Sequence, residues 1–289
     1  IIFARFKGKL KPEAIDAMRE SFGLTNDPIF IQYFSYLKSI LKGDLGTSIA
    51  YFPAPVSEII GNGLGWTIFL AGISMIIAFL IGTTLGIIIA WNRTGKLDTI
   101  LPPTLAFFGA FPYFWLAMVF LYLFGFSLNW FPIGRAYGNE INPGYNFPFF
   151  ISALYHAFLP ALTLVFVSLG GWMLSMRNTM ISTLGSDYIT FAHAKGIPSK
   201  LIMLRYAARN AILPNLTGFG MALGFMLSGA LLTEMIFSYP GQGFLLLQAV
   251  QTQDYPLMQG IFMTITLAVL GANWLVDIAI LFFDPRTRK

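Results

Sequence analysis

Five apolar stretches, each long enough to cross a lipid bilayer, dominate this 289-residue sequence. A helix needs about 20 apolar residues to span the hydrocarbon core, where its backbone groups must be hydrogen-bonded within the segment. The first three stretches contain no Asp, Glu, Lys or Arg, and the last two contain one acid each, Glu234 and Asp277. The sequence therefore predicts an all-α polytopic membrane protein with five spans: Leu64–Trp91, Ile100–Phe126, Ala153–Met176, Ala211–Phe237 and Leu257–Phe283.

The composition agrees with this fold class. The chain is 56% hydrophobic and only 11% charged, and it contains 28 Gly and 16 Pro, two residues that are more frequent in membrane helices than in soluble ones. It has no cysteine, which excludes disulfides, thiolate metal sites and cysteine nucleophiles. The two histidines, His156 and His193, are too few and too far apart in the sequence to indicate a metal centre.

Basic residues predict the orientation of the chain in the membrane. Lys and Arg accumulate in cytoplasmic loops. The short loops 127–152 and 238–256 contain Arg135 as their single basic residue. The connection 177–211 and the C-terminal tail 284–289 are therefore expected in the cytoplasm. The basic residues on that side are Arg93, Lys96, Arg177, Lys195, Lys200, Arg205, Arg209, Arg286, Arg288 and Lys289.

An odd number of spans leaves residues 1–63 outside, as a segment distinct from the membrane region 64–283. A long external segment needs a signal peptide or a preceding span to reach that side, so we expect a sixth span before Ile1. Two short helices are predicted in the external segment, one between Pro12 and Gly23 and one after Asp27-Pro28 with apolar residues at helical spacing. Their pattern is typical of an amphipathic cap on the membrane surface, and a ligand site is the alternative.

The segment Pro53–Gly65 predicts an elbow before the first span. Pro55, Gly61, Gly63 and Gly65 would interrupt a helix there.

The basic connection contains the most informative segment of the chain, Gly185–Pro214. Ser186 or Asp187 can cap a short helix, and Gly196 is a natural terminator because glycine adopts the left-handed backbone that ends many helices. Pro198 can then occupy the first turn of a second helix.

Each of these two helices has a predicted face. Tyr188, Phe191 and Ala192 fall on one side of the first helix. In the second helix Leu201, Leu204 and Ala208 are expected on one side, and Arg205 and Arg209 on the other. A short helix with a small and aromatic surface fits a groove on a partner protein. The alternative is an amphipathic loop beneath the lipid headgroups, and the residues alone leave both possibilities open.

The run Tyr188–Pro214 resembles the cytoplasmic coupling loop, or EAA loop, of ABC-importer permeases. More narrowly, it is similar to the dipeptide/oligopeptide family of B-type permeases. The matching residues are Tyr188, Ala192, Ala194, Lys195, Gly196, Arg209, Asn210, Ala211, Leu213 and Pro214. Thr190 and Phe191 replace the Glu-Ala that names the loop. Further matches, in the same order as in the family, are Gly43–Ser48, Glu234, Phe237, Pro240–Gly243 and Asp284–Arg286.

This resemblance implies a type I ABC-importer permease fold in a prokaryotic plasma (inner) membrane. It implies a second homologous permease subunit, two cytoplasmic ATP-binding subunits and an extracytoplasmic solute-binding protein as partners, with oligopeptides or oligosaccharides as substrates. Nucleic acid is not among the expected partners. The coupling residues that it implies within loop 185–214 are Asp187, Tyr188, Phe191, Ala192, His193, Ala194, Lys195 and Gly196.

The sequence contains no Gly-x-x-x-x-Gly-Lys-[Ser/Thr] motif, so we expect the ATP to be bound and hydrolysed by the partner subunits and this chain to be neither an enzyme nor a holder of a cofactor.

Two other functional classes fit the sequence less well. An ion-coupled secondary transporter would place several acids or histidines at mid-membrane, whereas Glu234 and Asp277 lie near span ends. An intramembrane protease would need a nucleophile and a base side by side. The only candidates, His156 and Ser168, are about 18 Å apart along one helix.

Overall fold

The computed structural model describes the backbone of residues 28–283 and their side chains, except those of 223–229, 276, 277 and 279–283. Within this part of the chain the structure is helical, apart from one isolated bridge between Thr47 and Pro55. The helices are α1 (Ile29–Leu41), α2 (Val56–Trp91), α3 (Lys96–Gly109), α4 (Tyr113–Phe120, continued by the π-helical Leu121–Ser127), α5 (Phe147–Leu184), α6 (Asp187–Ala194), α7 (Ser199–Leu201, continued by the π-helical Ile202–Ala208), α8 (Arg209–Gly229), α9 (Leu231–Ile236), α10 (Gln242–Thr252) and α11 (Tyr255–Phe283). The predicted all-α fold class is confirmed.

Helices α2 and α5 form the largest helix–helix contact of the described fold. Gly82 and Gly86 on α2, spaced about one turn apart, face the backbone of α5. A Cβ atom at Gly86 would lie 2.7 Å from the carbonyl oxygen of Met173, and one at Gly82 would lie 2.9 Å from that of Leu169. Small residues with this spacing let two membrane helices approach closely, where van der Waals packing holds them together. This pair is the frame on which the other helices assemble.

Among the described residues, three helices are long and apolar enough to cross a membrane: α2, α5 and the segment Tyr255–Leu275 of α11. They coincide with the predicted first, third and fifth spans. Helices α3 and α4 would add one more crossing if the bent pair forms a single span. In α8 the side chains are described only as far as Ala222, so this helix is not tested as a span. The predicted total of five spans therefore stays a prediction.

The predicted second span, Ile100–Phe126, is not one continuous helix. The axis bends by 96° between α3 and α4, at residues 110–112. Pro112 lies immediately before α4. Proline has no backbone N–H and disfavours helical geometry in the residue before it, so Phe111 does not continue α3.

The predicted fourth span, Ala211–Phe237, is also interrupted. Helix α8 ends at Gly229, and the short helix α9 begins at Leu231 after Ala230.

The predicted elbow at Pro53–Gly65 is wrong as well, because α2 begins at Val56 and runs through all three glycines. Pro55 precedes the first turn, where a helix does not need the missing N–H. Gly63 is buried where a Cβ atom would meet the Leu245 side chain, so this glycine serves packing. The second predicted surface helix is confirmed as α1, and the first, between Pro12 and Gly23, lies outside the described residues.

Candidate coupling site

Helix α6 occupies the position predicted for the coupling helix. Ser186 is its N-cap residue, and Lys195 is its C-cap. Gly196 has φ +71°, its N–H donates to the carbonyl of His193 at 2.9 Å, and the N–H of Ile197 donates to that of Ala192 at 3.3 Å. This pair of bonds is the Schellman arrangement that a left-handed residue makes possible at a helix end. The prediction that Gly196 terminates the helix is confirmed.

One side of α6 is anchored in the interior of the protein. Ile189 and Ala192 are each only 2% exposed. They belong to a buried cluster with Ala90 at the end of α2 and with Met176 and Met180 near the end of α5. The helix is therefore packed directly against the adjacent ends of the two helices that form the frame.

The burial of Ala192 corrects one sequence expectation. Ala192 does not share a free face with Tyr188 and Phe191, because it is covered by the rest of the chain. The exposed residues among the predicted coupling set are Asp187, Tyr188, Phe191, His193, Ala194, Lys195 and Gly196.

The exposed surface of α6 is aromatic and basic. Tyr188 is 42% exposed and Phe191 is 61% exposed. The Lys195 ammonium lies 4.6 Å from the centre of the Phe191 ring, within cation–π range. We call the surface formed by Tyr188, Phe191, Ala194 and Lys195 the coupling face.

Three further contacts fix α6 and its surroundings. The His193 ring stacks on Trp91 of α2 at a centroid distance of 6.3 Å. The Asn210 amide at the start of α8 donates a hydrogen bond of 3.2 Å to the Tyr188 hydroxyl. The Arg177 guanidinium donates to the Asp98 carboxylate at 2.7 Å, which ties the end of α5 to the start of α3. The sequence pattern did not indicate the pairings made by Trp91, Asp98 and Arg177, because each partner is distant in sequence.

The segment after α6 presents a different face from the one predicted. Ile202, Ala207 and Ala208 are buried, whereas Leu201 and Leu204 are exposed. The prediction that Ala208 shares a face with Leu201 and Leu204 is therefore wrong. A π-helical segment bonds i to i+5, so the α-helical spacing used for the prediction does not hold there. Arg205 and Arg209 are exposed, as Leu201 and Leu204 are.

On the predicted external side, Gly43–Ser48 forms a tight turn. Gly43 and Gly46 both have φ +80°, and the Gly46 N–H donates to the Asp44 carboxylate at 2.9 Å. The Ser48 hydroxyl donates to the Asp254 carboxylate, which also accepts from the Ala50 N–H at 2.9 Å. The turn thereby fastens the chain before α2 to the start of α11.

Asp254 is fully buried, and the sequence offered no signal for its role beyond an isolated acid in a short loop. Burial and the Asp254 carboxylate raise the pKa of the Tyr51 hydroxyl.

The segment Glu234–Gly243 is folded around the buried Glu234 carboxylate. Its Oε2 accepts a 2.7 Å hydrogen bond from the Gly243 N–H. A Cβ atom at Gly241 would meet the same carboxylate at 2.4 Å, and one at Gly243 would meet the Leu231 carbonyl at 2.3 Å. Both positions therefore require glycine, because any side chain would collide with these groups. Burial, followed by the Glu234 charge, raises the pKa of Tyr239. These contacts of the Glu234 carboxylate lie within its own loop, which does not favour an ion-coupling site.

The histidine considered for proteolysis has another partner. The His156 Nδ1 lies 2.8 Å from the Ser152 carbonyl oxygen, one turn earlier on α5. Ser168 lies on the same helix, about 18 Å further along, so the two side chains do not meet.

A helical chain with paired membrane-length helices and a short helix anchored at their ends has the architecture of a multi-pass membrane protein. Residues 82–289 match the family described as "Binding-protein-dependent transport system inner membrane component". The match covers most of the chain, and the chain belongs to this family. It is therefore the inner-membrane permease component of an ABC importer.

Several characterised proteins are similar over nearly the whole chain. The dipeptide transport system permease protein of Alkalihalophilus pseudofirmus is 36% identical, over 96% of this chain and 86% of its own length. The oligopeptide transport system permease protein of Bacillus subtilis is 32% identical, over 96% of this chain and 87% of its own. The glutathione transport system permease protein of Salmonella choleraesuis is 32% identical, over 96% and 85%.

Proposed function

We propose that this permease carries short peptides inward and that ATP hydrolysis in separate cytoplasmic subunits drives the transport. A second, homologous permease completes the path, and an extracytoplasmic binding protein delivers the solute. The relatives named for dipeptides, oligopeptides and glutathione support a peptide substrate rather than an oligosaccharide. We further propose that residues 177–211 and the C-terminus face the cytoplasm and that residues 1–63 face outward.

The observation that carries the proposal is the two-sided character of α6. Its buried side chains Ile189 and Ala192 engage α2 and α5, and its coupling face is open to a partner. A closely packed interior transmits displacement because it compresses little. A force applied by an ATPase on the coupling face would thus reach the two frame helices directly.

The proposal explains why α6 is short and sharply terminated. The cap at Gly196 and the stacked Trp91–His193 pair hold the helix in one position relative to α2. The Asp98–Arg177 pair ties α3 to the same end of α5. In the proposed mechanism these contacts make α3, α5 and α6 move together when the ATPases close.

The test of function uses the complete assembly. With the second permease, the ATPases and the binding protein reconstituted in liposomes, ATP is expected to drive accumulation of a labelled dipeptide. This chain purified alone should hydrolyse no ATP above background. Robust hydrolysis by the isolated chain, or accumulation of an oligosaccharide but of no peptide, would contradict the proposal.

The proposed orientation has a separate test, because the chain is free of cysteine. Single cysteines are introduced at two exposed positions, Asn139 in the loop before α5 and Ser199 after α6. An impermeant thiol reagent added to intact spheroplasts is expected to label Asn139→Cys and to spare Ser199→Cys until the membrane is opened. The reverse labelling pattern would invert the topology.

A further inference from the structure

A cavity of about 230 Å³ lies between α2, α4, α5 and α8, away from the coupling site. The residues that define its position are Ser74, Tyr113, Ser168, Trp172, Ala222 and Ala230. The side chain of Ser168 is exposed, so the cavity opens to the protein surface at that edge.

The cavity lies at membrane depth. Ser74 is at the midpoint of α2, and Ser168 is close to the midpoint of α5. Both helices are long enough to cross the bilayer. Their middle sections must therefore lie near the centre of the hydrocarbon core.

Both interrupted helices of the fold reach this cavity. Tyr113 is the first residue of α4, directly after the 96° bend, and Ala230 is the residue between α8 and α9. Breaks in a helix at membrane depth are tolerated only where protein or a cavity surrounds the freed backbone groups. Transporters place solute sites at such discontinuous helices. The position of the cavity is thus that of a solute site rather than a packing gap between straight helices.

The chemistry of the walls indicates what the cavity can hold. None of the described residues that line the cavity is charged, and Met75, Leu164, Val167 and Trp172 make the lining largely apolar. The Ser74 hydroxyl is already bonded to the Leu70 carbonyl at 2.6 Å. An apolar cavity of about 150 Å³ is sufficient to bind benzene. This larger cavity accommodates an uncharged aromatic or branched aliphatic group.

We propose that this cavity is a subsite of the transport path that receives an apolar side chain of the peptide in transit. This inference rests on the proposed peptide-import function and adds a selectivity element within the membrane. The subsite favours peptides with leucyl or phenylalanyl side chains over those with glycyl or alanyl ones.

The test fills the cavity from α8. Ala222→Phe places a ring in the space, and Ala222→Leu fills it partly, as a second variant if the first assembles poorly. Met221→Phe is the matched control, because Met221 is the preceding residue, is 51% exposed and does not line the cavity. Uptake of Leu-Leu and Ala-Ala dipeptides is compared in the reconstituted complete transporter, at equal amounts of assembled complex.

Filling is expected to lower Leu-Leu uptake about tenfold relative to Ala-Ala, since apolar pockets discriminate by about this factor. The control should leave the ratio of the two rates unchanged. If both Ala222 variants leave the ratio of Leu-Leu to Ala-Ala uptake unchanged, even where both rates fall, the subsite is ruled out and peptide import still stands. If the unmodified transporter accumulates no peptide at all, the proposed function itself fails, and the subsite fails with it.

Discussion

Replacement of Gly86 by leucine is expected to destabilise the permease more than any other single change considered. The Cβ atom at this position would lie 2.7 Å from the Met173 carbonyl oxygen and equally close to the Met176 Cβ. A backbone atom of a long membrane helix cannot move aside locally, so α2 and α5 would have to separate. Overpacking of this kind typically costs about 1–3 kcal/mol, and we expect the upper end.

The measurement is thermal stability of the detergent-solubilised protein, followed as loss of the monodisperse peak in size-exclusion chromatography after heating. A fall in the melting temperature of roughly 5–10 °C corresponds to this cost. Gly65→Leu is the control on the same helix, because Gly65 is exposed and a Cβ atom there meets nothing within 4 Å. Equal melting of both variants and the unmodified protein would mean that Gly86 does not bring the two helices together.

The sequence predicted those features of the fold that depend on local chemistry. Apolar length located α2, α5 and α11, since a bilayer imposes that length on any span. The end of α6 at Gly196 followed from the left-handed conformation that glycine adopts without strain. The helix after Asp27-Pro28 followed from its start signal and its helical spacing.

The breaks in the membrane helices could not be predicted in this way. Pro102 and Pro103 lie inside α3 without ending it, whereas Pro112 coincides with a 96° bend. Gly170 of α5 lies against the Leu105 carbonyl of α3, and this tertiary contact supports the helix in which the first two prolines lie. The sequence shows three prolines but not which of them the surrounding helices accommodate.

The sequence pattern could not predict which side of α6 is buried. Ala192 is three residues from Ile189 and four from Tyr188, so helical spacing allows it to share a face with either. The structure decides between them because Ala90, Met176 and Ile202 cover Ile189 and Ala192 together. The tie between Ser48 and Asp254 joins residues 206 positions apart, and no local motif indicates such a pairing.

Two alanines of α6, Ala192 and Ala194, make the coupling proposal testable within one short helix. Ala194 is exposed on the coupling face, and Ala192 is 2% exposed in the interior cluster. We expect Ala194→Trp to insert, fold and melt like the unmodified protein and to lose the ATPase subunit. Added bulk in a packed interface costs about 1–3 kcal/mol, which corresponds to roughly a 5- to 150-fold weaker association.

Ala192→Trp is expected to behave in the opposite way. Its indole ring would have to enter the space shared with Met176 and Met180. The amount of folded permease in the membrane should therefore fall, whereas the amount of ATPase bound per folded molecule should stay the same. The measurement is the amount of ATPase that copurifies with each variant, divided by the amount of folded permease, alongside the uptake of labelled dipeptide. Lys200→Ala, a change at an exposed position just beyond α6, serves as the control for a substitution in this loop outside the coupling face. If Ala194→Trp retains the ATPase and transports peptide normally, the coupling face is not where the ATPase binds, and the contact must lie elsewhere in the loop.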